Sequence, residues 1–458
     1  MDENNGGKLG LWNIVGLGVG GAVGSGIFVI LGAAIGKTGR SIMPITIICV
    51  FYMLLAYWYN LALSGIFVIK GGDYSMKGMM LPPLLTGFGG WANVIWAFGC
   101  TSYALAITDY LTVLWPQVKL FSSLTSVVIL TVFFLLTIRG SRFVTLFQNV
   151  VTVFLIVALV MYAAFGFPQV NPTSFFNMTG DGGFFHGGFM GLISAIAIMG
   201  WACQGTTMGP VGVVAVTRNP KRTVPLGIIV TCVVVSVVYG LMSYVAAGVL
   251  PYDQTAGQNL SATARVILPN SLFTFFVIGG GICAIISSFL MVLVMIRYPL
   301  AQMAEDGWLP KVFQKRTEEG YPYMCYLLVY IVALIPIVAN MSVSSAVSML
   351  MIPTMLLNVF LNTCCILLPK KYPGQYAKRS IKIPTSIYGV LCILGGICAG
   401  IVALTLFIDL TLKDAVIACG VILLPLFFSW LSLKNNSVDV KKLEMKKDKI
   451  IEDALQAE

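Results

Sequence analysis

An all-α integral membrane protein with twelve transmembrane helices is the fold class this sequence predicts, on three observations. The chain of 458 residues is 58% hydrophobic and only 10% charged, with a mean hydropathy of +0.91. That leaves too little polar surface to cover a soluble fold of this size. Apolar runs long enough to cross a bilayer, roughly 20 residues each, recur along the whole chain. Basic residues collect on alternate connections between those runs, as they do on the cytoplasmic side of membrane proteins.

The runs lie near 11–36, 41–69, 86–115, 121–138, 142–167, 187–216, 224–249, 271–298, 322–340, 344–368, 384–409 and 414–433. With the N-terminus inside, 23 of the 28 basic residues fall on the cytoplasmic face; only Lys37, Arg40, Lys119, Arg265 and Lys413 fall outside. The net charge of +10 therefore reads as topology and not as affinity for nucleic acid. The expected organisation is a cytoplasmic N-terminus at 1–10, a core at 11–369, two further helices with their preceding loop at 370–433, and a basic cytoplasmic tail at 434–458. Localisation follows as multi-pass in the cell membrane with both termini cytoplasmic. The acidic, polar start leads into no small-residue cleavage site, so no signal peptide is expected.

The first run carries Val19-Gly20-Gly21-Ala22-Val23-Gly24-Ser25-Gly26-Ile27-Phe28 at its centre. Glycine is the poorest helix former after proline, and unpaired backbone groups in hydrocarbon are costly, so a break here must face protein, water or a ligand. The sixth run repeats the pattern in Met199-Gly200-Trp201-Ala202-Cys203-Gln204-Gly205-Thr206-Thr207-Met208-Gly209-Pro210. The two segments are about 180 residues apart, half the length of the first ten runs. Two five-helix inverted repeats, helices 1–5 and 6–10 with helices 1 and 6 broken, would give that spacing, with helices 11 and 12 appended. Free amides near Ser25, Gly26 and Ile27 would hold a carboxylate, and bare carbonyls in helix six would accept from an ammonium. The competing reading is close helix packing, which small residues such as Gly16, Gly20 and Gly24 also permit.

Leu9-Gly10-Leu11-Trp12 leading to Gly24-Ser25-Gly26-Ile27-Phe28, with Gly71-Gly72-Asp73-Tyr74 and Gly87-Phe88-Gly89-Gly90-Trp91, resembles the first third of the amino-acid/polyamine/organocation permeases. Arg218-Asn219-Pro220-Lys221-Arg222 is similar to that family's loop after helix six, and Ala304-Glu305-Asp306-Gly307-Trp308-Leu309-Pro310 to its loop after helix eight. The resemblance implies a secondary transporter working by alternating access. It implies substrate contacts from Val23, Gly24, Ser25, Gly26 and Ile27 to the carboxylate and from Trp201, Ala202 and Gly205 to the amine, with Trp201 as an aromatic lid. Packing is the plainer role for that tryptophan.

The departures narrow the cargo. Where many relatives carry an acid after the helix-six glycine, this chain has Thr206 and Thr207, and no charged side chain lies near the expected pocket. An ionic substrate group would enter uncompensated, so a neutral, zwitterionic amino acid is expected. The alternatives are an amino acid/amine exchanger and a polyamine transporter; a receptor that does not move its ligand stands behind both. Helix five offers Leu155 where several relatives place a lysine, which removes the obvious proton carrier.

Coupling to sodium or protons is left open. Ala284, Ser287 and Ser288 on helix eight resemble the sodium site of distant relatives, completed there by carbonyls at Gly20 and Val23, since hard cations favour oxygen ligands. Serines in membrane helices also commonly bond their own backbone. Asp109, the one acid well inside a run, is either a protonated, silent residue or a proton or gating group. The lone His186 is expected in a solvated outer loop. On helix ten Thr354, Asn358 and Asn362 form a polar stripe that either lines the path or joins helices.

The eleven cysteines all fall in apolar runs and read as reduced core residues. No Cys/His metal pattern, phosphate loop or nucleophile–base pair is found, so neither an enzyme, nor a metal site, nor a bound cofactor is expected, nor an obligatory protein partner beyond the lipid bilayer and the amino-acid substrate. The tail, with Lys441, Lys442, Lys446, Lys447 and Lys449 among Leu443, Met445, Ile450 and Ile451, reads first as unstructured. Its alternative is a basic amphipathic helix on anionic lipid.

Overall fold

A computed structural model describes residues 9–69, 72–138, 141–178, 184–318 and 320–456, and helix occupies every one of the twelve apolar intervals. Among the described residues nine helical stretches are long and apolar enough to cross a membrane, with shorter apolar helices at Leu11–Gly24, Val153–Gln169 and Tyr323–Val338. The only strand-like pairing among those residues is an isolated bridge between Leu9 and Thr217. It ties the N-terminal residues to the connection after the sixth interval, with Leu9 N–H donating to Val216 O at 2.9 Å.

The first interval is one helix, α1 (Leu11–Thr38). This corrects the expected break in helix one: the backbone stays helical straight through the Gly20–Gly26 cluster. A continuous ladder satisfies the amides and carbonyls that a break would bare in the apolar interior. The second interval is divided instead, into α2 (Ile42–Ala56) and α3 (Trp58–Ile66), at Tyr57 with φ −103° and ψ 23°. A short helix, α4 (Gly72–Met80), precedes α5 (Pro83–Leu114), which begins with proline in its first turn where a missing N–H costs nothing. The next two are α6 (Ser122–Thr137) and α7 (Ser141–Gly166).

The sixth interval is divided at a single residue, short of the open break expected there. Helix α8 (Gly188–Cys203) and α9 (Gly205–Gly212) meet at Gln204, whose own angles remain helical at φ −58° and ψ −39°. The Gln204 N–H donates to Trp201 O at 3.2 Å, a tightened turn in place of the usual four-residue step. Asn219 in the left-handed region, φ 47°, then starts α10 (Pro220–Gly248).

The eighth interval comprises α11 (Asn270–Phe275), a π-helical segment Phe276–Ile282, α12 (Cys283–Met295) and α13 (Arg297–Glu305). The wider π turn carries Gly279, Gly280 and Gly281; a Cβ on Gly281 would come within 2.5 Å of the Tyr110 ring. The chain continues through α14 (Tyr323–Val338), α15 (Val343–Cys365), α16 (Thr385–Ile408) and α17 (Leu412–Lys434). Side chains cap two of these helices: Ser342 Oγ accepts from Ser345 N–H at 3.0 Å, and Thr411 Oγ1 from Asp414 N–H at 3.2 Å.

Helix α1 is the axis of the core. Ala22, Val23, Ile27, Phe28, Ile30 and Leu31 are all buried, and the helix packs on α8, α9, α10 and α12. Outward-facing side chains such as Leu124, Val128 and Leu135 on α6 and Leu423, Leu424 and Phe427 on α17 leave the apolar perimeter a lipid-facing surface needs. All eleven cysteines are free; Cys49 and Cys203 lie Sγ to Sγ 3.8 Å apart.

The basic tail is helical, not unstructured: α18 (Val440–Gln456) turns back against the end of the molecule that carries the basic loops. Lys446 forms an ion pair with the buried carboxylate of Asp306, which also accepts from Tyr74 Oη at 2.8 Å and from Gln302 Nε2 at 3.1 Å. Lys221 Nζ donates to Ala454 O at 2.8 Å, and Gln375 Nε2 to Ile451 O at 3.2 Å. The apolar positions Leu443, Ile450, Ile451 and Ala454 share the docked face, a spacing that explains why docking and helix form together. Between α18, α4 and α13 lies an open cavity of about 1190 Å³.

Candidate functional site

The glycines of α1 and of the α8–α9 junction meet backbone against backbone. A Cβ on Gly205 would lie 2.3 Å from Gly21 C and 2.4 Å from Ala22 N, and one on Gly26 would lie 2.3 Å from the Ala202 methyl. On the neighbouring side a Cβ on Gly24 would lie 2.4 Å from Ser288 Oγ and 2.9 Å from Ala284 O. Each glycine costs up to about 1 kcal/mol of helix propensity relative to alanine, and here the return is contact that no larger residue permits. Gly16 and Gly20 differ, since a Cβ on either meets nothing within 4 Å.

Tyr239, from α10, closes this contact. Its buried hydroxyl lies 2.6 Å from Ala22 O and 2.9 Å from Ala202 O, so one proton serves carbonyls on α1 and α8. Trp201 is buried and packs at a tilt on Tyr103, ring centroids 5.2 Å apart; Tyr103 in turn lies 5.7 Å from Phe289. It stands inside an aromatic column, away from the lipid perimeter.

A polar cluster lies beside the interruption at Gln204. Gln204 Nε2 donates to Tyr57 Oη at 2.6 Å, joining the break in the sixth interval to the break in the second. Asn358, fully buried on α15, comes up to the same hydroxyl. Neither Asn358 Nδ2 nor Oδ1 reaches hydrogen-bond geometry there or elsewhere, and Gln204 Oε1 and Ser288 Oγ have no partner either. Each such atom costs about 1–3 kcal/mol of desolvation. The stripe on α15 therefore splits by function: Thr354 Oγ1 donates to Leu350 O of its own helix at 2.8 Å. Asn362 spans the α2–α3 interruption, Nδ2 to Ala56 O at 3.0 Å and Tyr59 N–H to Oδ1 at 2.9 Å.

The residues expected from the sequence are distributed as follows. Gly26 meets Ala202, and Gly205 meets Gly21 and Ala22, at the α1–α8–α9 interface, while Gly24 faces Ser288 and Ala284; Val23 and Ile27 are buried on α1 and Trp201 on α8 against Tyr103; Ser25 is helical backbone within α1, and its side chain lies outside the described residues. Of the cation set, Ala284 and Ser288 abut Gly24, and Ser287 is buried beside them, while Gly20 and Val23 lie in the continuous part of α1. Asp109 is exposed, five residues from the end of α5, and its neighbour Tyr110 is the one that reaches α1, donating to Phe28 O at 3.0 Å. Leu155 is buried on α7. His186 is half-buried with its ring 4.2 Å from that of Tyr252.

Tyr239, Tyr57 and Tyr103 escaped the sequence reading. Tyr57-Trp58-Tyr59-Asn60, a polar and aromatic run in mid-span, was the available signal for the second interruption. Nothing local to Tyr239 or Tyr103 distinguishes them from ordinary aromatic packing residues.

The helices and this interior define a multi-pass helical membrane protein. Residues 9–426 match the amino acid permease family, and the chain belongs to that family. Among curated proteins it is similar to YvbW of Bacillus subtilis (strain 168), named an uncharacterized amino acid permease, with 30% identity over 206 residues. That match covers 42% of this chain and 44% of the relative, so the chain spans less than half of that protein's length.

Proposed function

We propose that the protein is a secondary transporter that carries a neutral, zwitterionic amino acid across the cell membrane by alternating access. The observation that carries this reading is the uncharged character of the α1–α8–α9 interface. The groups that meet there are glycine and alanine backbone, the Tyr239 hydroxyl, buried Thr206 and Thr207, and the amide of Gln204. A zwitterion needs peptide dipoles at its common end and no counter-ion for its side chain. Twelve spans in a 5+5 inverted repeat with both termini cytoplasmic is the topology that fits this mechanism.

In the proposed cycle the backbone of Val23 to Ile27 receives the carboxylate and that of Trp201 to Gly205 the ammonium. Because α1 is wound through in the observed packing, its glycine-rich turn must open locally for amides to face the substrate, which glycine backbones do at low cost. Sodium is the coupling ion the oxygens support better than a proton on Asp109. Ser288 Oγ is unpartnered and adjoins Ala284 O, whereas Asp109 lies on the surface. Carbonyls of Gly20 and Val23 would complete the set once freed from the helical ladder.

Reconstituted uptake over the twenty amino acids, with and without sodium and a proton gradient, tests the reading. Flux of one or more neutral amino acids is expected, and Gly26→Leu, which must displace Ala202, should abolish it while the protein still inserts. Absence of any amino-acid flux, or unimpaired flux in that variant, would overturn it.

A further inference from the structure

The polar cluster at the α8–α9 interruption has hydrogen-bonding capacity that the protein itself does not use. Gln204 Oε1 and Asn358 Oδ1 are buried without partners, Asn358 Nδ2 leans on the Tyr57 hydroxyl without reaching hydrogen-bond geometry, and that hydroxyl, which accepts from Gln204, retains its own proton to give. Asn362, one turn along α15, shows the contrast: both ends of its amide are occupied in holding α2 to α3. A leucine at 358 would pack in the same volume with no polar atom to satisfy, so joining helices does not account for an asparagine there.

The cluster is also electrically neutral. Asp73, the acid that bears on Tyr57, is already paired with Lys77 and accepts from Tyr59 Oη at 3.4 Å. Gln204 is one residue from Cys203 and Gly205, and Gly205 and Ala202 are the residues that touch α1. The cluster therefore adjoins the backbone contact proposed to hold the amino and carboxylate groups.

We propose that Tyr57, Gln204 and Asn358 form a side-chain subsite that recognises an uncharged group able both to donate and to accept, a carboxamide or hydroxyl, on the transported amino acid. This rests on the proposed transport of a neutral amino acid through the α1–α8–α9 interface. A carboxamide NH₂ would donate to Gln204 Oε1 or Asn358 Oδ1, and its carbonyl would accept from Asn358 Nδ2 or the Tyr57 hydroxyl. The interruptions at Tyr57 and Gln204 bracket the cluster, so parting α2–α3 from α8–α9 uncovers all three groups together. A site with buried polar groups rejects an analogue of equal size that leaves them unpaired far more strongly than an apolar pocket rejects an extra hydroxyl.

Competition between glutamine and methionine, matched in size, measures this in proteoliposomes containing the full chain. Wild type is expected to favour glutamine by about tenfold or more in uptake at equal concentration. Asn358→Leu should erase most of that ratio by raising the KM for glutamine, with part of it restored in Asn358→Ser; Gln204→Met provides an independent removal should Asn358→Leu fail to elute as a monodisperse protein. The subsite is refuted if wild type carries neutral amino acids without that preference, or if the variants lower glutamine and methionine uptake in step. If no amino acid is carried at all, it is the transport reading that fails, and the two failures are thereby told apart.

Discussion

Gly205→Ala adds one methyl group at the point where α9 rests on α1. The new carbon would sit 2.3 Å from Gly21 C, 2.4 Å from Ala22 N and 2.7 Å from Gly21 O, all backbone atoms that no rotamer change can move aside. Carbon atoms prefer about 3.5–4.0 Å, so the two helices must part by roughly 1.2 Å at this height. Overpacking of this kind costs about 1–3 kcal/mol or more, against a gain of up to about 1 kcal/mol from replacing a helical glycine. The displacement also draws Ala22 and Ala202 apart, and the single Tyr239 proton now serves both. The variant should therefore melt at a lower temperature in detergent and lose most of its uptake. Gly16→Ala provides the matched control: it meets nothing within 4 Å and should be neutral or slightly stabilising. Equal stability and uptake in the two variants would refute the argument that backbone contact, and not helix propensity, sets the role of these glycines.

Tyr239→Phe removes only a hydroxyl, so folding should persist while uptake falls about five- to tenfold, the equivalent of one net hydrogen bond of about 1 kcal/mol; unchanged uptake would dismiss the bridge. Lys446→Glu sets a carboxylate against the buried Asp306 and should release α18, seen as faster hydrogen exchange across residues 440–456 than in wild type. Burial, with Lys371 close by, holds the Lys447 ammonium below the ordinary lysine value of 10.5. The docked tail then binds fewer protons than the released one, so docking should strengthen as pH rises from the lowered value toward 10.5, and a spin label on α18 should report it. Lys447→Met should flatten that dependence, and a slope unaltered by the substitution would show that another group titrates.

Hydropathy placed the helices to within a few residues, because a bilayer imposes a minimum apolar length on every span regardless of neighbours. The glycine pattern was legible as a site of close approach but not as a break. Glycine both weakens a helix and lets another helix touch it, and only the partner surface, here Gly205, Ala202 and Ser288, decides between the two outcomes. Gln204 lay within the segment the sequence singled out, yet its bond to Tyr57 crosses 147 positions and no local pattern encodes it. The helical tail was hidden for a related reason. Its intrinsic composition is that of a solvated segment, and the ordering comes from Asp306, Lys221 and Gln375, far away in the chain.

The contact of α1 with α9 consists largely of bare main chain, Gly18 and Gly21 facing Gly209 and Gly205. Interlocked side chains must be lifted out of one another before two helices can slide, and that repacking is what makes most interiors resist shear. Here there are few knobs to lift. Sliding of α1 along α9 would therefore disturb little side-chain packing at this one contact, while the Tyr239 hydroxyl, bonded to Ala22 O and Ala202 O, and the side chains that α1 buries against α8, α10 and α12 hold it in register.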